Sequence, residues 1–466
     1  MDLRYTSARG RLVLLATVLG SALAFIDATV VNVALPKIGA SLHSGLSGLT
    51  WTVNAYTLTL SALILLGGSL GDRFGRRRVF LIGVIWFGAA SLLCGVAPSI
   101  EILVAARALQ GIGGALMTPG SLAIIQSSFR EEDRGRAIGA WSGLGGISGA
   151  AGPLLGGWLV QYASWRWALL INVPVALAVV VLSLKFVPES RDERATKQID
   201  LVGAGLGAGG LGLVTYGLIT AQDLGVLSGQ VLLALVVGVA TLIGFVLFER
   251  RAHEPVLPTA LFQSRMFSTV NAVTFLVYGA LGAIFFWLIL ELQIVAHFRP
   301  FDAGLAAMPM MGLMLVLSPR MGQLSQRIGP RLPMTLGPLL AALGCAWMSR
   351  IGPEASYLKD VLGPVVLLGL GLSVTVAPLT TAVLAAAPET SAGIASGINN
   401  AVARVAGLLS VAVLPLLTGL RGEGYHHAAE LLPAYRVALM LCAASLAAGA
   451  ALSARFVRKA EPRDAG

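Results

Sequence analysis

Besides Arg404 in the run 391–417, three ionisable side chains stand well inside otherwise apolar stretches of this chain. They are Asp27 in LAFIDATVVNVALP (23–36), Arg107 in RALQGIGGALMTPG (107–120) and Glu291 in FFWLILELQIVAHF (285–298). A charge in hydrocarbon costs roughly 2.5–3.5 kcal/mol on insertion scales, so such residues are rare and tend to be functional. An acid that passes between wet and dry surroundings, or nearer to and farther from an arginine, changes its hold on a proton. That is the chemistry of a proton carrier: Asp27 would take a proton from outside and release it inside, with Arg107 biasing the exchange. A static Asp27–Arg107 salt bridge tying two helices together is the plainer reading of the same residues. Three readings of Glu291 stay open: attraction of a cationic substrate at an outer mouth, a second proton site, or a snorkelling residue without a role.

The elements that must position these groups follow from composition. The chain has 466 residues, 56% of them hydrophobic and 12% charged, with a mean hydropathy of +0.81. Soluble domains carry about 25% charged residues, so this is a polytopic membrane protein. A spanning helix needs ~20 mostly apolar residues. Fourteen runs qualify: 12–34, 49–71, 79–97, 101–128, 136–160, 165–187, 199–220, 229–249, 267–296, 301–321, 332–350, 360–386, 391–417 and 434–455. They are long and continuous, unlike the ten-residue alternating segments of a membrane barrel.

The net charge of +10 is topology information. With the N-terminus inside, twenty-four Lys and Arg fall in inside segments and six in outside ones. That bias puts both termini inside. Removing the first run as a signal peptide would invert every loop, so it is expected to be retained. No nucleic-acid patch is implied. No GxxxxGK[ST] loop points to ATP. The three cysteines sit in apolar runs without metal spacing, and the five histidines are scattered, which argues against an intramembrane enzyme.

Depth can be estimated from the runs. Asp27 is seven residues from Ala34, the expected outer end of helix 1, or about 10 Å deep. Arg107 lies about 9 Å from the start of helix 4, and Glu291 about 8 Å from the end of helix 9. All three are expected at one level in the outer half of the membrane. Asn32, Asn54, Tyr56, Gln110 and Gln126, with Glu291, are candidates for lining a substrate cavity. Asn271, Asn399 and Asn400 are further polar candidates, and Trp51, Phe285, Phe286 and Trp287 could stack on a lipophilic cation.

The chain repeats itself. GSLGDRFGRR (68–77) aligns with GQLSQRIGPR (322–331) at an offset of 254 residues, and Gly135, Ala137, Gly139 and Gly149 match Gly393, Ala395, Gly397 and Gly407 at 258. Equivalent helices are thus eight apart. Two six-helix halves, 1–198 and 251–466, flank a two-helix insertion at 199–250. Parallel repeats of this kind place a substrate path between the halves.

Several motifs carry a family resemblance. GGSLGDRFGRRRV (67–79) resembles the loop between helices 2 and 3 of the major facilitator superfamily, and RALQGIGGALMTPG its helix-4 motif. GISGAAGPLLGGW (146–158) resembles the Gly-Pro motif of its antiporters. IDATVVNVALP (26–36) and SWRWALLINVP (164–174) resemble the fourteen-span drug:proton antiporter family, which contains quaternary-ammonium and multidrug exporters. The resemblance implies an all-α major facilitator fold with fourteen transmembrane helices in a bacterial inner membrane. It implies efflux of amphipathic, often cationic compounds by alternating access, driven by protons, with no cofactor. The implied partners are the small-molecule substrate, protons and the bilayer; a periplasmic adaptor is left open. A proton-coupled symporter importing a small metabolite is the alternative, and the helix-5 motif argues against it.

The motifs also have readings of their own. Asp72, among Arg73, Arg76, Arg77 and Arg78, could pair with Arg134 or Arg136 of the next inside loop as a conformational latch. Plain anchoring by positive charge is the alternative. Gln326 replaces the acid in the second copy. In helix 5, Gly143, Gly145, Gly146, Gly149, Gly152, Gly156 and Gly157 bare one face for close packing. Pro153 removes a helical hydrogen bond there.

Overall fold

The computed structural model describes residues 3–191, 200–252, 257–388 and 392–457. Arg194, Lys197, His253, the basic residues after 457 and the boundary between 198 and 199 lie outside the described residues, and Gly146 is described through its backbone alone. The first compact unit comprises residues 1–256 with 299–304; the second comprises 257–298 with 305–466.

The first unit is built from α1 (Ala8–Leu42), α2 (Leu46–Phe74), α3 (Arg76–Val96), α4 (Ile100–Ser128), α5 (Glu131–Tyr162), α6 (Trp165–Leu170) and α7 (Asn172–Phe186), followed by α8 (Leu201–Leu224) and α9 (Gly229–Glu249). Then come α10 (Arg265–Leu290), which runs into a wide π-helical turn (Glu291–Val295), α11 (Pro300–Ala306), α12 (Met308–Ile328), α13 (Arg331–Met348), α14 (Leu362–Ala385), α15 (Ala392–Thr418) and α16 (Ala428–Phe456). The described parts of all fourteen apolar runs fall largely on helices. Among the described residues, twelve spans are long and apolar enough to cross a membrane; α5 and α13 are not among them. Large apolar side chains stand exposed on the outer faces, such as Leu177, Leu233 and Val236. An aqueous protein would bury them; a bilayer solvates them. The protein is a multi-pass membrane protein.

Two boundaries differ from the sequence reading. Helix 1 does not end at Ala34; it continues through Pro36 to Leu42. Proline removes only the bond to the carbonyl four residues back, and the helix continues beyond it, through Gly39, to Leu42. Asp27 is therefore mid-helix, and its depth counted from Ala34 no longer holds. The run 165–187 forms one span but breaks into α6 and α7 around Ile171. Pro174 lacks the N–H that would bond the Leu170 carbonyl, so the ladder lapses there.

The internal repeat is visible in the packing. α1 lies against α5 and α7, as α10 does against α15 and α16. α2 and α3 both pack on α4, as α12 and α13 do on α14. Each copy of the repeated loop turns on a glycine with positive φ, Gly75 at 111° and Gly329 at 83°. These are 254 residues apart, and a side chain at either would be strained. The inserted α8 packs on α9 and on α2.

Hydrogen bonds gather the basic segments at one end of the first unit. The Leu3 amide donates to the Ser128 carbonyl, and the Arg76 amide to that of Ser190. Arg9 Nε donates to the Phe186 carbonyl. Arg136 lies over the Tyr5 ring. The N-terminus, the α2–α3 loop, the α4–α5 loop and the end of α7 thus share one face.

Candidate functional site

Asp27 on α1 is fully buried, and Arg107 on α4 is 1% exposed. Arg107 Nη1 lies 2.5 Å from Asp27 Oδ2. Gln110 follows Arg107 by three residues, so both side chains leave the same face of α4. Gln110 Nε2 donates to Asp27 Oδ1 at 2.8 Å. Asn172, the first residue of α7, donates to the same oxygen at 2.9 Å. Behind them, Ser91 Oγ on α3 accepts from Gln110 at 2.7 Å and from Asn172 at 3.0 Å.

Arg107 is held on its other sides too. Its Nε donates to the Thr52 carbonyl at 3.1 Å, and Nη1 also reaches Gln110 Oε1 at 2.6 Å. The guanidinium sits 4.5 Å from the centre of the Tyr56 ring. Five helices, α1, α2, α3, α4 and α7, therefore converge on one neutral ion pair. Each carboxylate oxygen faces N–H donors, and no acceptor waits for a proton. Protonating Asp27 thus requires a donor to withdraw. The geometry ties the carboxylate's charge to the packing of α1 against α4 and α7.

The sequence reading paired Asp27 with Arg107 and named Gln110 and Tyr56. It missed Asn172, Ser91 and the Thr52 carbonyl. Asn172 was legible only as an amide inside an apolar run. Of the other cavity candidates, Asn54 is buried, and neither amide atom has a hydrogen-bond partner. Asn32 is half-buried and bonds its own helix at the Ala28 carbonyl. Gln126 is exposed two residues from the end of α4 and does not join the buried group. Asn399 on α15 donates to Asn271 and Thr274 on α10, an interhelical clamp in the second unit.

The loop after α2 differs from expectation in its partners. Asp72 pairs with Arg76 at 2.7 Å, across the turn at Gly75, not with Arg134 or Arg136. Arg134 is exposed, and Arg73 lies over Phe74. Asp72 and Arg76 are four residues apart and reach each other without help from another loop. The long-range tie comes from Glu189, which sequence reasoning passed over. Its carboxylate accepts from the amides of Arg77 at 3.0 Å and Arg78 at 3.2 Å, satisfying free N–H groups at the start of α3. Arg77 in turn donates to the Val187 carbonyl at 3.1 Å.

In the Gly-Pro helix α5, Gly152 and Gly156 lie directly against Thr29 and Val30 of α1, and Gly157 against Pro300 and Phe301. A methyl group at these positions would overlap its neighbours. Gly149 sits beside Phe25, while Gly143 faces open space. Pro153 leaves the Gly149 carbonyl without its usual helical donor. Thr29 Oγ1 lies 3.3 Å from that carbonyl.

Glu291 is fully buried at the start of the π-helical turn. Neither carboxylate oxygen has a hydrogen-bond partner. The snorkelling reading, which needs the head group at the surface, is overturned.

The Major Facilitator Superfamily matches residues 17–411. The chain is 37% identical over 409 residues to the tetracenomycin C resistance and export protein of Streptomyces glaucescens, covering 88% of this chain and 76% of that one. It is 34% identical to the methylenomycin A resistance protein of Bacillus subtilis, covering 90% of each. It is 32% identical to the multidrug export protein EmrB of Haemophilus influenzae, covering 90% of this chain and 82% of that one. Among solved structures it resembles the xylose transporter XylE from E. coli, with a TM-score of 0.65, 14% identity and 97% of both chains covered. With helices paired alike in its two units, a repeated glycine-hinged loop and a family match spanning most of its length, this chain belongs to the Major Facilitator Superfamily.

Proposed function

We propose that this chain exports drugs or other toxic amphipathic compounds, often cationic, in exchange for protons. It sits in a bacterial cytoplasmic membrane with both termini on the cytoplasmic side. Three curated relatives at 32–37% identity carry export or resistance in their names. The gathering of basic segments at one face of the first unit supports the orientation.

The buried Asp27–Arg107 pair carries the proton-coupled part of this reading. A proton arriving at Asp27 cancels the anion that holds Arg107, Gln110 and Asn172. Arg107 keeps the Thr52 carbonyl, the Gln110 oxygen and the Tyr56 ring, so the cation is not stranded. α1 is then freed from α4 and α7. It moves with α5, to which the glycine contacts and Thr29 bind it. Loss of the proton restores the ion pair and the first arrangement.

The test is accumulation of a fluorescent cationic dye in cells expressing wild type or Asp27→Asn, with and without a protonophore. Wild type keeps the dye low until the protonophore is added; Asp27→Asn is inserted but does not. Protonophore-sensitive export by Asp27→Asn equal to wild type would end this reading. Proton-linked uptake rather than efflux in vesicles would favour a symporter.

A further inference from the structure

We propose that Glu291 is a second proton-binding site, built into the second unit and carrying its proton in the conformation described here. Its surroundings are unlike those of Asp27. Asp27 receives three N–H donors; Glu291 receives none, although it is fully buried. A carboxylate anion with no hydrogen bond and no paired cation does not persist in a membrane interior; it takes up a proton and becomes neutral.

The groups around it agree. The π-helical turn packs on α10 and α16. From α16, Tyr435 is buried near Glu291, and its hydroxyl donates away, to the Met348 carbonyl at 2.9 Å. Arg436 is exposed and acts on Glu291 through its charge, and among the described residues no ion pair to Glu291 forms. The buried thiols Cys345 and Cys442 are close enough to Tyr435 to act on it. From α10, Trp287 is one turn earlier, fully buried, with its indole N–H also lacking a partner. No side chain here supplies a donor or a close cation to the carboxylate.

The backbone at this point is not a plain helix. The Ala296 amide bonds the Glu291 carbonyl, five residues back, at 3.0 Å. Such wide turns in long helices recur at functional positions, and we take this one to be able to close to α-geometry. Reversion would rotate Glu291 relative to α16, and the chain just beyond it is already at the surface, where His297 is exposed with φ of 56°. The turn thus gives the acid a short route from a dry pocket to water. The use of that proton in transport rests on the proton-coupled reading above; its presence on Glu291 does not.

Infrared spectra of the purified full chain at neutral pH test this directly, through the C=O stretch of a protonated carboxylic acid. Wild type shows the band, Asp27→Asn retains it, and Glu291→Gln abolishes it. Its absence from wild type, or its survival in Glu291→Gln, overturns the proposal. Should Glu291→Gln not be recovered folded, Glu291→Asp must shift the band, and an unshifted band overturns the proposal equally. Reversal potentials in proteoliposomes then read the stoichiometry, with Glu291→Gln transporting one proton fewer per cycle than wild type. A wild-type band that Glu291→Gln abolishes, together with protonophore-sensitive export by Asp27→Asn equal to wild type, would refute coupling through Asp27 and leave the Glu291 site standing.

Discussion

The hydroxyl of Thr29 on α1 lies 3.3 Å from the carbonyl of Gly149 on α5. That carbonyl is the one Pro153 leaves without a donor, since proline has no N–H to offer four residues on. In a membrane no water is at hand to fill the gap. Thr29 also lies 3.1 Å from the Phe25 and Ile26 carbonyls of its own helix, so its single proton is shared. The helix carrying Asp27 is thereby stitched to the glycine-rich helix two residues from the acid.

Thr29→Val keeps the shape and removes the donor. It should lower stability by about 1 kcal/mol, the ordinary worth of one hydrogen bond. Thermal unfolding in detergent measures this. Thr29→Ser should be near wild type. Pro153→Ala restores an N–H to Gly149, so the loss from Thr29→Val should shrink in that background.

Arg107→Leu strands a buried carboxylate, whereas Asp27→Asn leaves Arg107 with the Thr52 carbonyl and Gln110. Breaking a buried pair from one side costs about 3–5 kcal/mol. Arg107→Leu should therefore reduce folded protein in the membrane far more than Asp27→Asn does. The double variant Asp27→Asn/Arg107→Leu should recover part of the loss. Yield and melting temperature of the three variants check this.

Asn172→Leu removes one donor from Asp27 and one from Ser91. Export should fall while the protein still inserts, because Arg107 and Gln110 remain. A shift in the pH dependence of export relative to wild type distinguishes this from a loss of folding, and Asn172→Gln should not restore wild-type behaviour because its longer chain misplaces the amide.

Substitutions along α5 should separate by contact. Gly152→Val and Gly156→Val force α1 away and should abolish export. Gly139→Ala meets nothing within 4 Å and should be silent. Dye efflux, normalised to protein in the membrane, reads both outcomes.

At the α2–α3 turn, Glu189→Gln should slow export more than Asp72→Asn destabilises the fold. The Asp72 side chain is 41% exposed, and an exposed pair is worth about 0–1 kcal/mol. Any large transport defect in Asp72→Asn with an unchanged melting temperature would assign that residue to conformational switching.

The sequence by itself determined the membrane class, the helical runs and the repeat. Hydrocarbon leaves a chain few ways to satisfy its backbone, so a long apolar run implies a helix wherever it occurs. It also singled out Asp27 and Arg107 as charges that hydrocarbon penalises, and left open whether they exchange a proton or form a fixed pair. Helix ends were less legible. Pro36 and Pro174 read alike in sequence, yet one is absorbed and the other opens a break.

Only the tertiary structure decided what surrounds each charge. Asn172, Ser91 and Thr52 come from three helices distant in the chain, and no local spacing marks them. Asp72 and Glu189 show the same limit: a short-range partner four residues away took the role expected of a distant loop, and a plain acid after α7 took the long-range one. Glu291 and Asp27 look equivalent as acids in apolar runs. Packing gave one of them an arginine and two amides and the other nothing, because hydrogen-bond partners depend on which helix faces meet.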